Sequence, residues 1–274
     1  MPELPEVETI VRDLRKNILG LSIRDIWYDW KGQFNLPKDP ERFKKLVVGR
    51  RIVGVRRRAK NILIDLSGGY LLLIHQKMTG HLLIGRWQIK NNRPLALIEG
   101  PLKEKVNNYI HLIFYLSGGK QLALSDLRKF AKVMAGRRED IGRMPDLAEL
   151  GPEPLNKYFD ISKFRDLIKK EKRPVKQVLM DQTVIAGIGN IYSDEILWQA
   201  KVFPLKSSAA LSLFELKNIF KAVKEILNKA VKTRGTSISD FRDTAGREGG
   251  YTGKRKVYRR EGEPCPRCQT LIKR

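Results

Sequence analysis

The sequence predicts an α+β fold in which a strand-rich half precedes a helical half. Up to about residue 135 the apolar runs are short and broken by Gly and Asn, as strands are. Two hairpin signals recur there: residues 62–73 read ILIDLSGGYLLL and residues 113–124 read IFYLSGGKQLAL, each a strand, a Ser-Gly-Gly turn and a second strand. After a stretch containing Pro145, Gly151, Pro152 and Pro154 the apolar period becomes helical. Sheet first and helices second means segregated elements rather than an alternating α/β chain. The expected division is a first domain over 1–135, a linker over 136–156, a helical domain over 157–235 and a final segment over 236–274.

The first element is a helix. Pro5 suits a first turn, Glu6 and Glu8 lie near its positive end, and Val7, Ile10, Val11, Leu14 and Ile18 follow at helical spacing. The same start also carries chemistry. Methionine before a small residue such as proline is normally removed, which exposes Pro2 as a secondary amine. Terminal amines have a pKa of about 8, so a useful fraction is neutral at neutral pH. Such an amine attacks electrophilic carbon and forms an iminium ion that stays positively charged, and the adjacent Glu3 can move protons. Helix start and nucleophile are compatible readings.

In the helical half, residues 179–196 read LMDQTVIAGIGNIYSDEI. A helix is expected to end near Gln182, a turn to hold Gly187 and Gly189, and Asn190 to cap the next helix. Helix starts present free N–H groups that bind phosphate, with a plain helical hairpin as the alternative. Lys172, Arg173 and Lys176, expected on the preceding helix, add positive charge. Further on, Leu216, Ile219, Phe220, Val223, Leu227, Ala230 and Val231 form one stripe, with Ser212 and Glu215 spaced as a capping box and Gly235 as the stop.

Composition selects the partner. Lys and Arg number 54 against 30 acids, a formal charge of +24, and the pI is near 10.1. A polyanion is the natural counterpart. No amphipathic basic helix with a bulky apolar face stands out, and neither a signal peptide nor a bilayer-length apolar run is present, so a soluble intracellular chain is expected. The two cysteines, Cys265 and Cys268, form C-P-R-C. That spacing is half of a zinc knuckle, whereas a redox pair would need a thioredoxin-like unit that is not visible. Structural zinc takes four ligands, and His75 and His111 sit far upstream among strand residues, so the site does not close.

Taken in order, the segments 2–9 (PELPEVET), 57–60 (RRAK), 75–80 (HQKMTG), 126–130 (DLRKF), 150–155 (LGPEPL), 179–195 and 257–265 (VYRREGEPC) resemble the bacterial formamidopyrimidine-DNA glycosylases, base-excision enzymes that remove oxidised purines. The resemblance covers the whole chain. It implies an N-terminal β-sandwich flanked by helices, then a helix-two-turn-helix domain and a zinc β-ribbon. It further implies a monomer acting in the bacterial cytoplasm on double-stranded DNA that contains oxidised bases or abasic sites.

The resemblance also implies roles. Pro2 attacks C1′ of the damaged nucleotide, Glu3 handles protons, and Lys60 serves proton transfer or simple phosphate binding. Met78, Arg128 and Phe130 are the wedge that fills the space left by the extruded base, although Met78 and Phe130 alone would read as core residues. His75, Tyr109, Lys172, Lys176, Asn190 and Tyr258 are the remaining DNA contacts; His75 by itself would read as structural. Cys265 and Cys268 are ligands of a structural Zn2+, and the family's second C-x-x-C and phosphate-clasping arginine fall beyond Arg274. A trimmed or fragmentary sequence is expected over a zinc-free variant. Gln76 stands where Leu is common, Ala131 where Gly is common, and Arg259 where Gly usually follows the Tyr. Alternatives are a lesion-binding protein without turnover, the sister branch acting on oxidised pyrimidines, and a generic basic nucleic-acid-binding protein.

Overall fold

Helix α1 (Leu4–Ile18) buries Val7, Ile10, Val11, Leu14 and Ile18 completely, the stripe its spacing marks. The structure, a computed structural model, describes residues 1–238 and 240–273. These cluster into two units, Met1–Ala148 with Arg234–Gly249, and Glu149–Thr233 with the chain from Gly250 onward.

In the first unit α1 is followed by β1 (Ile23–Tyr28), β2 (Phe34–Leu36), α2 (Pro40–Val47), β3 (Ile52–Arg58), β4 (Asn61–Leu66), β5 (Tyr70–His75) and β6 (His81–Gly85). Then come β7 (Trp87–Lys90), β8 (Arg93–Ala96), β9 (Ile110–Leu116), β10 (Gln121–Ser125), β11 (Lys132–Arg137), α3 (Arg138–Gly142) and α4 (Pro145–Ala148). One sheet has the order β1-β9-β10-β6, a second β2-β11-β5-β4-β3, and β7-β8 is a separate hairpin. Both expected hairpins form: Leu66 pairs with Tyr70 across the Ser67–Gly69 turn, and Tyr115 with Gln121 across Ser117–Gly119.

Alternate residues of the two sheets, among them Ile62, Ile64, Leu72, Ile74 and Val133 from one and Leu112, Phe114, Leu122 and Leu124 from the other, meet in a single core with α1. This is a β-sandwich. The opposite face of the five-stranded sheet is also covered, with Leu63, Leu71, Leu73 and Met134 packed on Ile141 of α3. Double coverage explains why residues 61–66 are buried without alternation.

The second unit consists of α5 (Ile161–Lys169), α6 (Val175–Met180), α7 (Asn190–Ala200) and α8 (Leu213–Lys232). Phe159, Phe164 and Phe220 form an aromatic trio with centroids 5.5–6.3 Å apart. The Ser212–Glu215 capping box opens α8 as its spacing predicts, and the helix closes at Thr233, two residues before Gly235.

Three local expectations are corrected. Residues 136–156 are not plain coil: they hold the end of β11, α3 and α4, and the sequence passes from one unit to the other between Ala148 and Glu149. Gly189 rather than Asn190 occupies the N-cap of α7, which makes Asn190 the first helical residue. Lys172 and Arg173 lie in the turn between α5 and α6, and only Lys176 is helical.

Gly151 donates its N–H to the Gln182 carbonyl at 2.8 Å. A Cβ at 151 would lie 2.5 Å from the Thr183 oxygen and 2.6 Å from that of Val184. Backbone cannot retreat as a side chain can, so Gly151→Ala is expected to destabilise the second unit by about 1–3 kcal/mol. Thermal unfolding checks this, and a wild-type melting curve contradicts it.

Candidate active site

The start of α1 is buried with a set of ionisable groups. Pro2 is buried, and Glu3, Glu6 and Lys60 retain only 2%, 1% and 6% exposure. Glu6 Oε2 accepts the Glu3 N–H at 2.8 Å, and its Oε1 accepts the Thr236 N–H at 2.7 Å. Lys60 follows Ala59, whose φ of +52° turns β3 into β4. Burial lowers the Lys60 ammonium from its ordinary value, against the opposing pull of the Glu3 and Glu6 charges. The Met1 amine, one residue before Pro2, is lowered as well, first by burial; Glu3, Glu6 and Asp240 oppose this, and Lys60 adds to it. Burial thus disfavours ammonium charge at this end of the chain, where two carboxylates and Lys60 are at hand to carry protons.

Two loops of the same unit present the expected wedge residues. Met78 is 44% and Phe130 51% exposed, so neither is a core residue. The Arg128 guanidinium lies 4.7 Å from the centre of the Phe130 ring. Asp126, 2% exposed, fastens the two loops together. Its Oδ1 accepts from the Thr79 hydroxyl and the Arg128 N–H, and its Oδ2 accepts the Ala131 N–H at 2.7 Å. Met78, Lys129, Phe130 and Lys132 line a groove of about 410 Å³ together with Met1 and Asn35. Tyr109 is half-buried before β9, and its carbonyl accepts the Asp126 N–H at 2.8 Å.

His75 ends β5. Its Nδ1 accepts the Lys77 N–H at 3.0 Å, which leaves the neutral ring with its proton on Nε2. Burial, followed by the charges of Lys77, Lys60 and Lys132, pushes its pKa down to about 3. His75 is therefore a neutral donor at neutral pH and not a cation.

In the second unit Lys176, Asn190, Tyr258 and Arg259 converge on one groove of about 290 Å³, although they come from three separate segments. Lys176 pairs with Asp194 at 2.7 Å. Lys172 is exposed in the turn before α6 and does not line this groove. The turn before α7 is built by Gln182, whose amide donates to the Met180 and Ile188 carbonyls and whose oxygen accepts the Gly187 N–H at 2.8 Å. Glu195 on α7 is fully buried and accepts the backbone N–H groups of Lys256, Val257 and Tyr258 at 2.8–2.9 Å. Sequence reasoning missed Asp126, Gln182 and Glu195; the leading acid of Asp-Leu-Arg-Lys-Phe was the one available signal.

Family profiles match in two places. The formamidopyrimidine-DNA glycosylase N-terminal domain covers residues 1–133, and the formamidopyrimidine-DNA glycosylase H2TH domain covers residues 150–242. The chain belongs to the formamidopyrimidine-DNA glycosylase family. The family's protein from Moorella thermoacetica is 38% identical over 274 residues, 100% of this chain and 94% of that relative. The one from Chloroflexus aurantiacus is 36% identical, over 100% and 92%. Among solved structures, the MutM (Fpg) protein of Thermus thermophilus aligns with a TM-score of 0.82 at 34% identity, over 98% of this chain and 92% of that one. The wild-type Lactococcus lactis Fpg in complex with N7-benzyl-Fapy-dG DNA gives 0.84 at 31%, over 98% and 93%.

The zinc that membership in the glycosylase family implies is tested by the Cys265–Cys268 turn. Cys265 Sγ accepts the Trp198 indole N–H at 3.4 Å. That bond, followed by the N–H groups of Arg267 and Cys268, lowers the Cys265 thiol to about 6. Cys268 Sγ contacts the Thr270 hydroxyl at 2.9 Å. The turn thus favours a thiolate, yet among the described residues no group of three or more His, Cys, Asp or Glu side chains could hold a metal ion. Two sulfurs do not make a tetrahedral site.

Asp126→Ala removes the carboxylate that joins the two wedge loops and leaves the Arg128 N–H to Thr79 hydroxyl bond of 3.1 Å as a direct link between them. It is expected to cost about 3 kcal/mol of stability and to weaken binding to a lesion duplex, read by thermal unfolding and fluorescence anisotropy. Glu195→Ala leaves three N–H groups around Tyr258 unanswered. A loss of about 3 kcal/mol with a weaker hold on duplex DNA is expected, and unchanged affinity in a folded variant would show that Tyr258 does not depend on Glu195.

Proposed function

We propose that this chain repairs DNA by base excision, as a bifunctional glycosylase and AP lyase that removes oxidised purines such as 8-oxoguanine and formamidopyrimidines. The observation that carries the reading is Pro2, buried with Glu3 and Lys60 on the unit that also exposes Met78, Arg128 and Phe130. The Lactococcus lactis relatives were solved with Fapy-dG or abasic-site DNA, the substrate and intermediate that this chemistry needs. The sister-branch and binding-only alternatives have no observation in their favour.

Removal of Met1 frees the Pro2 nitrogen. It forms a bond to C1′ of the extruded nucleotide as the bond to the base breaks, and the base departs with a proton. Glu3 protonates the sugar oxygen as the ring opens. The resulting iminium withdraws electrons and acidifies the C2′ proton. Its loss expels the 3′ phosphate, and a second elimination expels the 5′ phosphate. Lys60 transfers protons near the departing phosphate or binds it.

Met78, Arg128 and Phe130 occupy the vacated stack, since a thioether, a planar cation and a ring all have faces on which bases rest. His75 donates Nε2–H to a backbone oxygen, and Tyr109 supports the wedge through Asp126. Lys172, Lys176, Asn190 and Tyr258 hold phosphates, with Arg259 beside them. Cys265 and Cys268 would supply two of the four ligands that a structural zinc takes, a group with no part in the reaction. No described helix is long and apolar enough to cross a membrane; we place the enzyme in the bacterial cytoplasm, acting on DNA as a monomer.

Borohydride added to the protein with an 8-oxoguanine duplex is expected to trap one covalent adduct on Pro2. Retained Met1 or a blocked terminus should reduce trapping to background, and full base release by the blocked protein would overturn the mechanism. Pro2 is buried, and burial disfavours the charged form of an amine. The acid limb of the pH profile should therefore lie below the ordinary terminal-amine value of about 8, with the rate rising as the proton leaves and then levelling.

A further inference from the structure

One buried side chain near this site has no partner. Gln76 is 1% exposed, and neither its Oε1 nor its Nε2 makes a hydrogen bond. A primary amide holds two acceptor sites and two donors, and leaving all of them unanswered out of water is a cost that native folds rarely carry without a reason.

The strand register locates it. The last paired row of the five-stranded sheet is Asn61, His75 and Lys132. The row before it, Ile62, Ile74 and Val133, faces the sandwich core. Lys60, Gln76 and Ala131 each stand one residue beyond the last paired row, Lys60 in the β3–β4 turn, Gln76 just after β5 and Ala131 just before β11. Ala131 does belong to that core. Gln76 therefore lies next to the turn that carries Lys60, since the residues adjoining them, His75 and Asn61, are paired. Its backbone is held there as well, since the Gln76 carbonyl accepts the Gly80 N–H at 3.1 Å.

We propose that Gln76 is a positioning residue for Lys60: its side-chain oxygen receives a proton of the Lys60 ammonium in a hydrogen bond during the reaction and aims that group at the departing phosphate. The proposal rests on the Pro2 reading above and extends it to a residue outside the groups that touch DNA. Gln76 carries no charge, so it stabilises the ammonium without competing for its proton. The charged and titratable groups around Lys60 are Glu3 and Glu6 on α1, the chain's terminal amine, and His75 at the end of β5. Against two carboxylates that pull Lys60 toward the helix start, a neutral acceptor just after β5 gives the ammonium a second resting place.

The test is a double-mutant cycle on the full chain with an abasic-site duplex, which reads strand cleavage separately from base release. Gln76→Leu removes both unanswered atoms at similar volume, so it should melt higher than wild type. It should also lower kcat for cleavage about tenfold at unchanged KM, and move the basic limb of the profile to lower pH. Gln76→Glu keeps an acceptor and adds charge, so it should retain cleavage and move that limb to higher pH. In a Lys60→Met background, Gln76→Leu should have no further effect on cleavage. Equal losses in the two backgrounds, or a Gln76→Leu protein with wild-type kcat and pH profile, would overturn the proposal. A wild-type protein that gives no borohydride adduct overturns the Pro2 reading instead, so the two failures are distinguishable. Should Gln76→Leu fail to fold, the Gln76→Glu profile decides alone: an unmoved basic limb overturns the proposal.

Discussion

The Glu6 carboxylate joins two distant parts of the chain, accepting one N–H from Glu3 at 2.8 Å and one from Thr236 at 2.7 Å. The first bond fixes the backbone immediately after Pro2. The second draws residues 234–249 back to the unit that holds the chain's start. Only glycine serves beside it: Gly235 has a φ of +78°, and a Cβ there would lie 2.7 Å from Glu6 Oε1. A nucleophile on a chain end would ordinarily sweep through many positions, because termini fray. Burial of Glu6 and its two donors converts the end into a fixed point, and fixed geometry is what the displacement proposed for Pro2 needs. The charge of Glu6 also reaches Lys60, so one buried acid serves both placement and electrostatics.

Much of this fold was legible because its signals are local. The Ser-Gly-Gly turns sit between apolar runs, the α1 stripe repeats at helical spacing, and the Ser212–Glu215 box precedes a long stripe. Part of what escaped is held by contacts across long sequence separations. Glu195 meets backbone more than sixty residues away, at 256–258, and nothing near Glu195 in the sequence announces it. The capping role of Asn190 was misplaced by one residue because Gly189, extended and without a side chain, already ends the turn. Met78 and Phe130 illustrate a different limit. Apolar residues usually face inward, so their identity alone argues for the core, and only their exposure in the folded unit shows that they are free to meet a base.

The cationic surface raises a problem that the second unit resolves. A chain of +24 attracts any polyanion, yet a repair enzyme must hold DNA in register and still move along it. In the groove proposed to hold phosphate, one cation is already engaged: Lys176 rests on Asp194 at 2.7 Å, and in the turn before α6 Arg173 rests on Asp181 at 2.8 Å. Solvent-exposed pairs of this kind contribute little to stability, so they orient a side chain without locking it. Phosphate can displace the carboxylate, and departure of the phosphate lets the pair re-form. Each contact is then weak, reversible and aimed, while affinity accumulates from counterion release along the duplex. On the proposed reading, the carboxylates within this basic surface work as placeholders that keep the grip on undamaged DNA loose, as a search by the proposed wedge residues requires.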